Sequence, residues 1–123
     1  MINFLQIWIK HNDISPFIPQ NDIIAFNLEN KNQLLPIQNP LLPRSARSDK
    51  NAIFIGQYGG REEDEYVLKN FSNSVFVFVV EGAFEVANRL LETRDGMALS
   101  HIETVEFEAL SHDAILLLIE IPS

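Results

Sequence analysis

The histidines are the first candidates for chemistry, because an imidazole serves as a metal ligand and as a general base near neutral pH. His101 and His112, with Glu103 or Asp113, offer nitrogen and oxygen ligands for a small metal site. The two histidines fall in turns near opposite ends of a predicted strand, so we interpret them as exposed loop residues. His11 is isolated in its own turn. The histidines therefore predict no metal site.

The acidic run at residues 61–65, which reads REEDE, is the densest group of charges. Carboxylates attract divalent cations, but this run lacks the regular ligand spacing of a calcium loop. We interpret it as a solvated strand edge. No glycine pattern of a nucleophile elbow surrounds a serine, and the pair Gly59-Gly60 is too short to cradle a phosphate. These residues predict no catalytic centre.

Composition excludes several function classes. The 123 residues include no cysteine, which excludes disulfides, thiolate catalysis and zinc–thiolate sites and permits a reducing compartment. With 17 acidic and 9 basic residues, the net charge is −8, so phosphates would be repelled. No segment is long enough to span a bilayer, and the apolar start lacks the flanks of a signal peptide. We predict a cytoplasmic protein with no nucleic-acid or membrane partner.

The elements that position these residues are predicted to be strands. Residues 75–80 form an unbroken apolar run, closed by Glu81-Gly82, which predicts a strand covered on both faces. Residues 84–86 then alternate before a second turn at residues 94–96. We expect the strands on either side of Gly82 to form a hairpin that organises the sheet.

Further strands are predicted along the whole chain. They lie at residues 2–9, 34–37, 52–57, 66–68, 104–109 and 114–121. In the fifth of these, Val105, Phe107 and Ala109 should face inward while Glu106 and Glu108 face water. Residues 22–26 offer weak evidence of one helical turn, and residues 38–50 predict a long surface loop. About eight short strands with almost no helix predict one all-β domain, an antiparallel sandwich or small jelly-roll barrel.

Three phrases of the sequence resemble one known family. They are NFLQIWI at residues 3–9, VFVFVVEGAFEVANRLLETRDGMALS at residues 75–100 and AILLLIEIP at residues 114–122. Together they resemble the carboxy-terminal cupin domain of the pirin family, the bicupins that include quercetin 2,3-dioxygenase-like proteins. The resemblance covers nearly the whole chain. It implies a single cupin domain over residues 1–123, an antiparallel β-barrel of the double-stranded β-helix or jelly-roll type.

The resemblance also implies where metal ligands would lie. The first ligand motif of metal-binding cupins ends at a turn glycine, the position of Gly82. Counting back from it puts the glutamate at Val75 and the histidines at Phe71 and Lys69. A spacing one residue longer moves the histidines to Asn70 and Leu68, no better as ligands.

The second cupin motif transfers no better. Its histidine falls at Val105 and its asparagine at Ala109. An iron or similar ion needs about three converging nitrogen or oxygen ligands, which these side chains cannot supply. The resemblance implies that, in bicupins of this family, the metal and the dioxygenase chemistry belong to the amino-terminal barrel. We therefore predict no catalytic, cofactor-binding or metal-binding residues in this chain.

Two function classes remain open. We favour a non-catalytic, metal-free cupin module with a structural or assembly role. The alternative is a quercetin 2,3-dioxygenase-like oxygenase with an unrecognised metal site, or a barrel that binds a small apolar or aromatic ligand. A cluster of aromatic residues is compatible with both classes: it would form core in the structural module and would line the pocket in a ligand-binding barrel. Its members are Trp8, Phe76, Phe78, Phe84 and Phe107.

The first predicted strand also predicts a partner. In bicupins that resemble this chain, the corresponding phrase joins two barrels. Here residues 2–9 directly follow Met1 and are apolar on both sides, with Leu5 and Ile7 on one and Phe4 and Trp8 on the other. We predict a homodimer in which this strand packs on or exchanges with a partner. If the chain is a fragment of a longer bicupin, the partner is an amino-terminal cupin barrel.

Overall fold

A computed structural model of the protein describes residues 31–37 and 52–122. Within these ranges the chain forms nine β-strands and no helix, so no helix is present there that could cross a membrane. The strands are β1 (Leu35–Pro36), β2 (Ala52–Tyr58), β3 (Glu63–Val67), β4 (Ser74–Glu81), β5 (Phe84–Val86), β6 (Arg89–Leu91), β7 (Gly96–Leu99), β8 (Thr104–Ala109) and β9 (Ala114–Ile121). The strand predicted at residues 2–9, the helical turn at 22–26 and the loop at 38–50 lie outside the described residues.

The strands form two antiparallel sheets with one apolar core between them. The five-stranded sheet has the order β1-β2-β9-β4-β7, and the four-stranded sheet has the order β3-β8-β5-β6. The core includes Val75, Val77 and Val79 of β4, which alternate with half-buried residues that face the other way. The predicted all-β, antiparallel architecture is confirmed.

Strand β8 shows how the period of two places the core. Val105, Phe107 and Ala109 are buried between the sheets, while Glu106 is exposed and Glu108 is half-buried on the opposite side. This is the predicted alternation, since successive side chains of a strand point to opposite faces. Each buried Val or Phe side chain contributes roughly 1.5 to 3 kcal/mol through loss of contact with water.

The hairpin predicted around Gly82 is wrong. Strand β4 pairs with β9 and β7, whereas β5 pairs with β6 and β8, so the chain crosses from one sheet to the other between them. Gly82 has a φ angle of 84°, and a Cβ atom there would collide with the Ser111 hydroxyl. A crossover and a hairpin both need such a glycine. The local sequence therefore does not distinguish them.

A hairpin is present one turn later. Strands β5 and β6 are joined by Ala87 and Asn88, with φ angles of 48° and 66°. Two successive positive φ angles in a two-residue loop are typical of a type I′ turn. Strand β3 also differs from the prediction, because it begins at Glu63 and includes most of the acidic run. That run lies on an edge strand, as expected.

The outer faces of the two sheets differ in character. We call the outer side of the five-stranded sheet the apolar face; it is formed by Ile53, Ile55, Phe76, Phe78, Val80, Ile115, Leu117 and Ile119, with Ile37 beside them. We call the outer side of the four-stranded sheet the acidic face; it is formed by Glu63, Glu65, Glu85, Glu106 and Glu108. On the acidic face, glutamates stand directly opposite one another across neighbouring strands.

Candidate functional site

The positions that the family resemblance assigns to metal ligands are either in the core or at the surface. Val75 and Val105 are fully buried among apolar side chains of both sheets. Leu68 and Ala109 belong to the same core, whereas Lys69, Asn70 and Phe71 are exposed. Apolar side chains offer no nitrogen or oxygen donor, so the residues at these positions do not fit a metal ion. Among the described residues, no three His, Asp or Glu side chains are grouped to hold one.

The two described histidines lie at opposite ends of β8. His101 is exposed in the turn before this strand and His112 is exposed in the turn after it. Six residues of strand separate the two ends by about 20 Å. Asp113 is engaged elsewhere, because its Oδ1 accepts a hydrogen bond of 2.8 Å from Lys31 Nζ. That bond, together with the charge of Lys31, lowers the pKa of Asp113.

The polar chemistry inside the barrel centres on Glu120, which the sequence reasoning missed. Its side chain is 1% exposed and follows Ala114, Leu116 and Leu118 on the inward side of β9. The Tyr66 hydroxyl donates to Oε1 of this carboxylate. The backbone amide of Lys69 donates to Oε1 at 3.0 Å and to Oε2 at 3.1 Å.

Two further donors complete the group. The backbone amide of Asn70 donates to Glu120 Oε2 at 3.4 Å, and the Asn73 side-chain amide donates to the same oxygen at 2.6 Å. We call the carboxylate and its four donors the Glu120 network. It ties β9, the central strand of the five-stranded sheet, to β3 and to the loop at residues 68–73. No buried polar side-chain atom among the described residues lacks a partner.

The Glu120 network determines the charge of its members. Burial by itself would raise the pKa of Glu120, but the bonds from Tyr66, Lys69, Asn73 and Asn70 outweigh burial and lower it. Glu120 is therefore ionised at neutral pH. Burial and the bond to this carboxylate raise the pKa of the Tyr66 hydroxyl well above its ordinary value of 10.0, so the phenol is neutral.

A second tyrosine–carboxylate pair lies elsewhere in the barrel. The Tyr58 hydroxyl donates to Asp64 Oδ2 at 2.8 Å, and the tyrosine is completely buried. Burial, then the bond to Asp64, raises the pKa of Tyr58 strongly. Its ring packs edge-on against Phe84 and Phe107, with centroids 6.0 and 5.2 Å away. The backbone at Gly56 passes so close that a Cβ atom there would lie 2.7 Å from the Tyr58 ring.

The hydrogen-bonding capacity of these groups is used within the protein. A general base needs an accessible lone pair within hydrogen-bond reach of a substrate proton. The lone pairs of Glu120 are directed at four protein donors, and both tyrosines are held neutral by burial and by their carboxylate partners. The hydrogen bonds of Glu120 and of the two tyrosines stabilise the fold by fixing the ends of strands.

The sequence carries one signal for Glu120. A single charged residue stands in the apolar run at residues 114–121, and the period of two puts it on the same side as Leu116 and Leu118. A charge at an inward position of a core strand must be paired. Its partners Tyr66 and Asn73 are 54 and 47 residues away, so they cannot be identified from spacing.

Among the described residues, a groove lies on the acidic face. It has a volume of about 450 Å³ and is open to solvent. Its lining consists of the five acidic-face glutamates with Asp64, Ala87, Asn88 and Phe107. Small-molecule sites are usually enclosed and mostly apolar, which this groove is not.

Comparison with known proteins supports a cupin of one family. A family model described as the quercetinase C-terminal cupin domain matches residues 49–121. A search of curated proteins finds no match to the chain. Among solved structures, YhhW from Escherichia coli is 21% identical, with a TM-score of 0.55 over 58% of this chain and 30% of YhhW. The same bacterial pirin in complex with nickel(II) gives a TM-score of 0.55 at 21% identity, over 58% of this chain and 31% of that one.

A smaller protein matches over more of its own length. The Cupin_2 domain of an XRE family transcriptional regulator from Enterobacter cloacae is 14% identical, with a TM-score of 0.58 over 74% of this chain and 96% of that domain. At these identities the likeness shows the cupin fold alone. The matched region spans about a third of the length of YhhW.

Proposed function

The chain belongs to the family of quercetinase C-terminal cupin domains, and from this premise we propose that it is one cupin domain, residues 1–123, with a non-catalytic, metal-free role in structure or assembly. The observation that carries the proposal is the barrel interior. Val75 and Val105 occupy ligand positions with apolar side chains, and the buried carboxylate of Glu120 is saturated by donors of its own chain.

The barrel interior also weighs against the alternative of a ligand-binding barrel. Tyr58, Phe84 and Phe107 contact one another edge-on, with centroids 5.2 to 6.2 Å apart. Rings at these distances fill the space between the sheets with one another. An aromatic ligand would have to displace them. This packing supports a solid core rather than a binding cavity.

Elemental analysis tests the proposal. The untagged protein should contain iron, nickel, copper and manganese only far below one atom per chain. Its thermal unfolding midpoint should not rise when nickel(II) or iron(II) is added, because a site present only in the folded state would shift it. YhhW, prepared and loaded with nickel(II) in the same way, is the matched control. One tightly bound metal atom per chain would overturn the proposal.

The assembly role requires a second barrel. We propose a homodimer formed through residues 2–9, or docking on an amino-terminal cupin barrel where the chain is part of a longer protein. Two described residues next to one end of the core support an interface, because Phe71 is 64% exposed and Ile121 is 41% exposed. Light scattering at micromolar concentration should give the mass of two chains. A single-chain mass would contradict the homodimer.

The surroundings of the protein are also part of the proposal. We propose a cytoplasmic location and no nucleic-acid or membrane partner. The lack of cysteine fits a reducing compartment, and the net charge of −8 with an acidic outer face opposes contact with phosphates. Duplex DNA and anionic vesicles should both fail to bind the protein at low salt, where electrostatic attraction would be strongest.

A further inference from the structure

The middle of the apolar face is buried although it points away from the core. Ile55, Leu117 and Ile119 are 6%, 3% and 5% exposed. A residue on the free side of a single sheet would be open to water on that side. The described residues that pack with these three all belong to the same sheet or, like Ile37, directly follow one of its strands. A layer from elsewhere must therefore cover this face.

The apolar face carries no charge between the ends of its described strands, in contrast to the acidic face. Its outward positions on β4, β9 and β2 are apolar except at the two ends, where Ser74 lies at one and Gln57 and Glu81 lie at the other; those on β7 are Gly96 and Ala98. Gly96 allows the Phe76 ring to lie against the backbone, since a Cβ atom there would approach the ring to 2.8 Å. In a chain with a net charge of −8, an uncharged face is suited to another apolar segment and not to solvent.

The chain enters the described structure beside this face. The Asn32 amide donates to the Gln57 carbonyl at 2.8 Å, and Lys31 pairs with Asp113 just before β9. Lys31 and Asn32 thus lie beside the end of β2 and the start of β9, and thirty residues precede them in the sequence. Among them, residues 2–9 are the longest apolar segment. Eight extended residues span about 26 Å, which matches the eight-residue strands β4 and β9.

We infer that residues 2–9 of the same chain form the layer over the apolar face. The side with Leu5, Ile7 and Ile9 has its one polar residue, Asn3, near the end of the segment, whereas the other side carries Gln6 in the middle, between Phe4 and Trp8. The first side lies on the sheet, because burying the Gln6 amide without a partner is costly. The inference deepens the proposed function and rests on it for the outward side, where Phe4 and Trp8 meet the second barrel.

Cross-linking of the full chain tests this placement, since the absence of cysteine gives a clean background. Ile7→Cys is combined with Phe78→Cys or with Ile115→Cys, both half-buried positions on the apolar face. The matched control combines Ile7→Cys with Glu106→Cys on the acidic face. Each protein is treated with a short bis-maleimide, and circular dichroism checks that it is folded. Using two face positions keeps the test decisive if one variant does not fold.

The expected product is a single cross-linked chain, formed several-fold more in the face pairs than in the Glu106 control. Equal yields in the face and control pairs would overturn the inference. A product of two chains would also overturn it, because the segment would then lie on a partner's sheet. Light scattering separates the two proposals. A monomer with the one-chain product refutes only the homodimer, and a dimer with no face cross-link refutes only the placement of the segment.

Discussion

Replacing Glu120 by glutamine tests whether a buried charge holds the barrel together. Glutamine keeps the shape of the side chain but removes the negative charge that strengthens the bonds from all four donors, which belong to Tyr66, Lys69, Asn70 and Asn73. Hydrogen bonds to a charged group contribute about 1.5 to 3 kcal/mol each, roughly twice the value for neutral partners. Because the glutamine oxygen retains part of the network, we expect a loss of about 2 kcal/mol in the free energy of unfolding.

Alanine at the same position removes every acceptor. It leaves buried donors without partners, and we expect a loss of about 3 to 5 kcal/mol. A domain of this size has about 5 to 15 kcal/mol in total, so the alanine variant is close to unfolding and glutamine is the informative change. Urea denaturation at neutral pH measures both. Glu106→Gln is the matched control, because this glutamate is exposed on the acidic face and stands directly opposite Glu65.

The pH dependence identifies the charge as the cause. The pKa of Glu120 is lowered in the folded protein from its ordinary value of 4.5. A carboxyl group of this kind stabilises the fold fully above 4.5, and its contribution is lost as the pH falls through the lower folded value. The stability difference between wild type and Glu120→Gln should therefore be constant near neutrality and shrink below about pH 4.5. A glutamine variant as stable as the Glu106→Gln control, or a difference that does not change with pH, would refute the reasoning.

Three further predictions concern packing, charge and backbone. Gly56→Ala should lower stability by about 1 to 3 kcal/mol in thermal unfolding, because its Cβ would lie 2.7 Å from both Gln33 O and the Tyr58 ring; Gly59→Ala, with its nearest contact at 3.6 Å, is the control and should cost clearly less. Glu65→Lys should stabilise the protein by about 0.2 to 1 kcal/mol at low salt, because it replaces the like-charge pair Glu65–Glu106 with a pair of opposite charges. This gain should shrink at high salt, and an equal gain at low and high salt would contradict the prediction. Ala87→Asn should raise stability by about 0.5 kcal/mol, because asparagine tolerates the φ angle of 48° better; an unchanged urea midpoint would contradict it.

The sequence was sufficient for most of the strands and insufficient for their pairing. Alternation identified β8 and the inward side of Val105, Phe107 and Ala109, because a period of two is a local property. The partners of β4 are β9 and β7, and this pairing depends on contacts between distant segments. The residues around Gly82 are compatible with a hairpin and equally with a crossover between sheets, so they do not show which of the two forms. The type I′ turn at Ala87 was missed because alanine is not typical of positive φ.

For the candidate site, too, sequence reasoning reached single positions but not the contacts between distant residues. The family resemblance assigned the ligand positions by counting along the chain, and the structure places two of the residues at these positions, Val75 and Val105, in the core. The same counting could not reveal that the amides of Lys69 and Asn70 converge on Glu120, some fifty residues further along the chain. Backbone donors carry no signature of their own in the sequence. Only the isolated charge in an apolar strand indicated that something polar is buried at that end of the barrel.

The Glu120 network bears directly on the proposal that this barrel holds no metal ion. In the family pattern, Lys69 and Phe71 stand at ligand positions, and in this structure the loop that contains them is anchored by its amides to a carboxylate from the last strand. A bound cation is therefore not needed to fix this loop to β9, because an internal anion does so. If the network is the substitute, the loop should open in Glu120→Gln before the core unfolds. Hydrogen exchange at the amides of Lys69 and Asn70 should then accelerate more than exchange within β8, and equal acceleration at both places would show that Glu120 stabilises the barrel only globally.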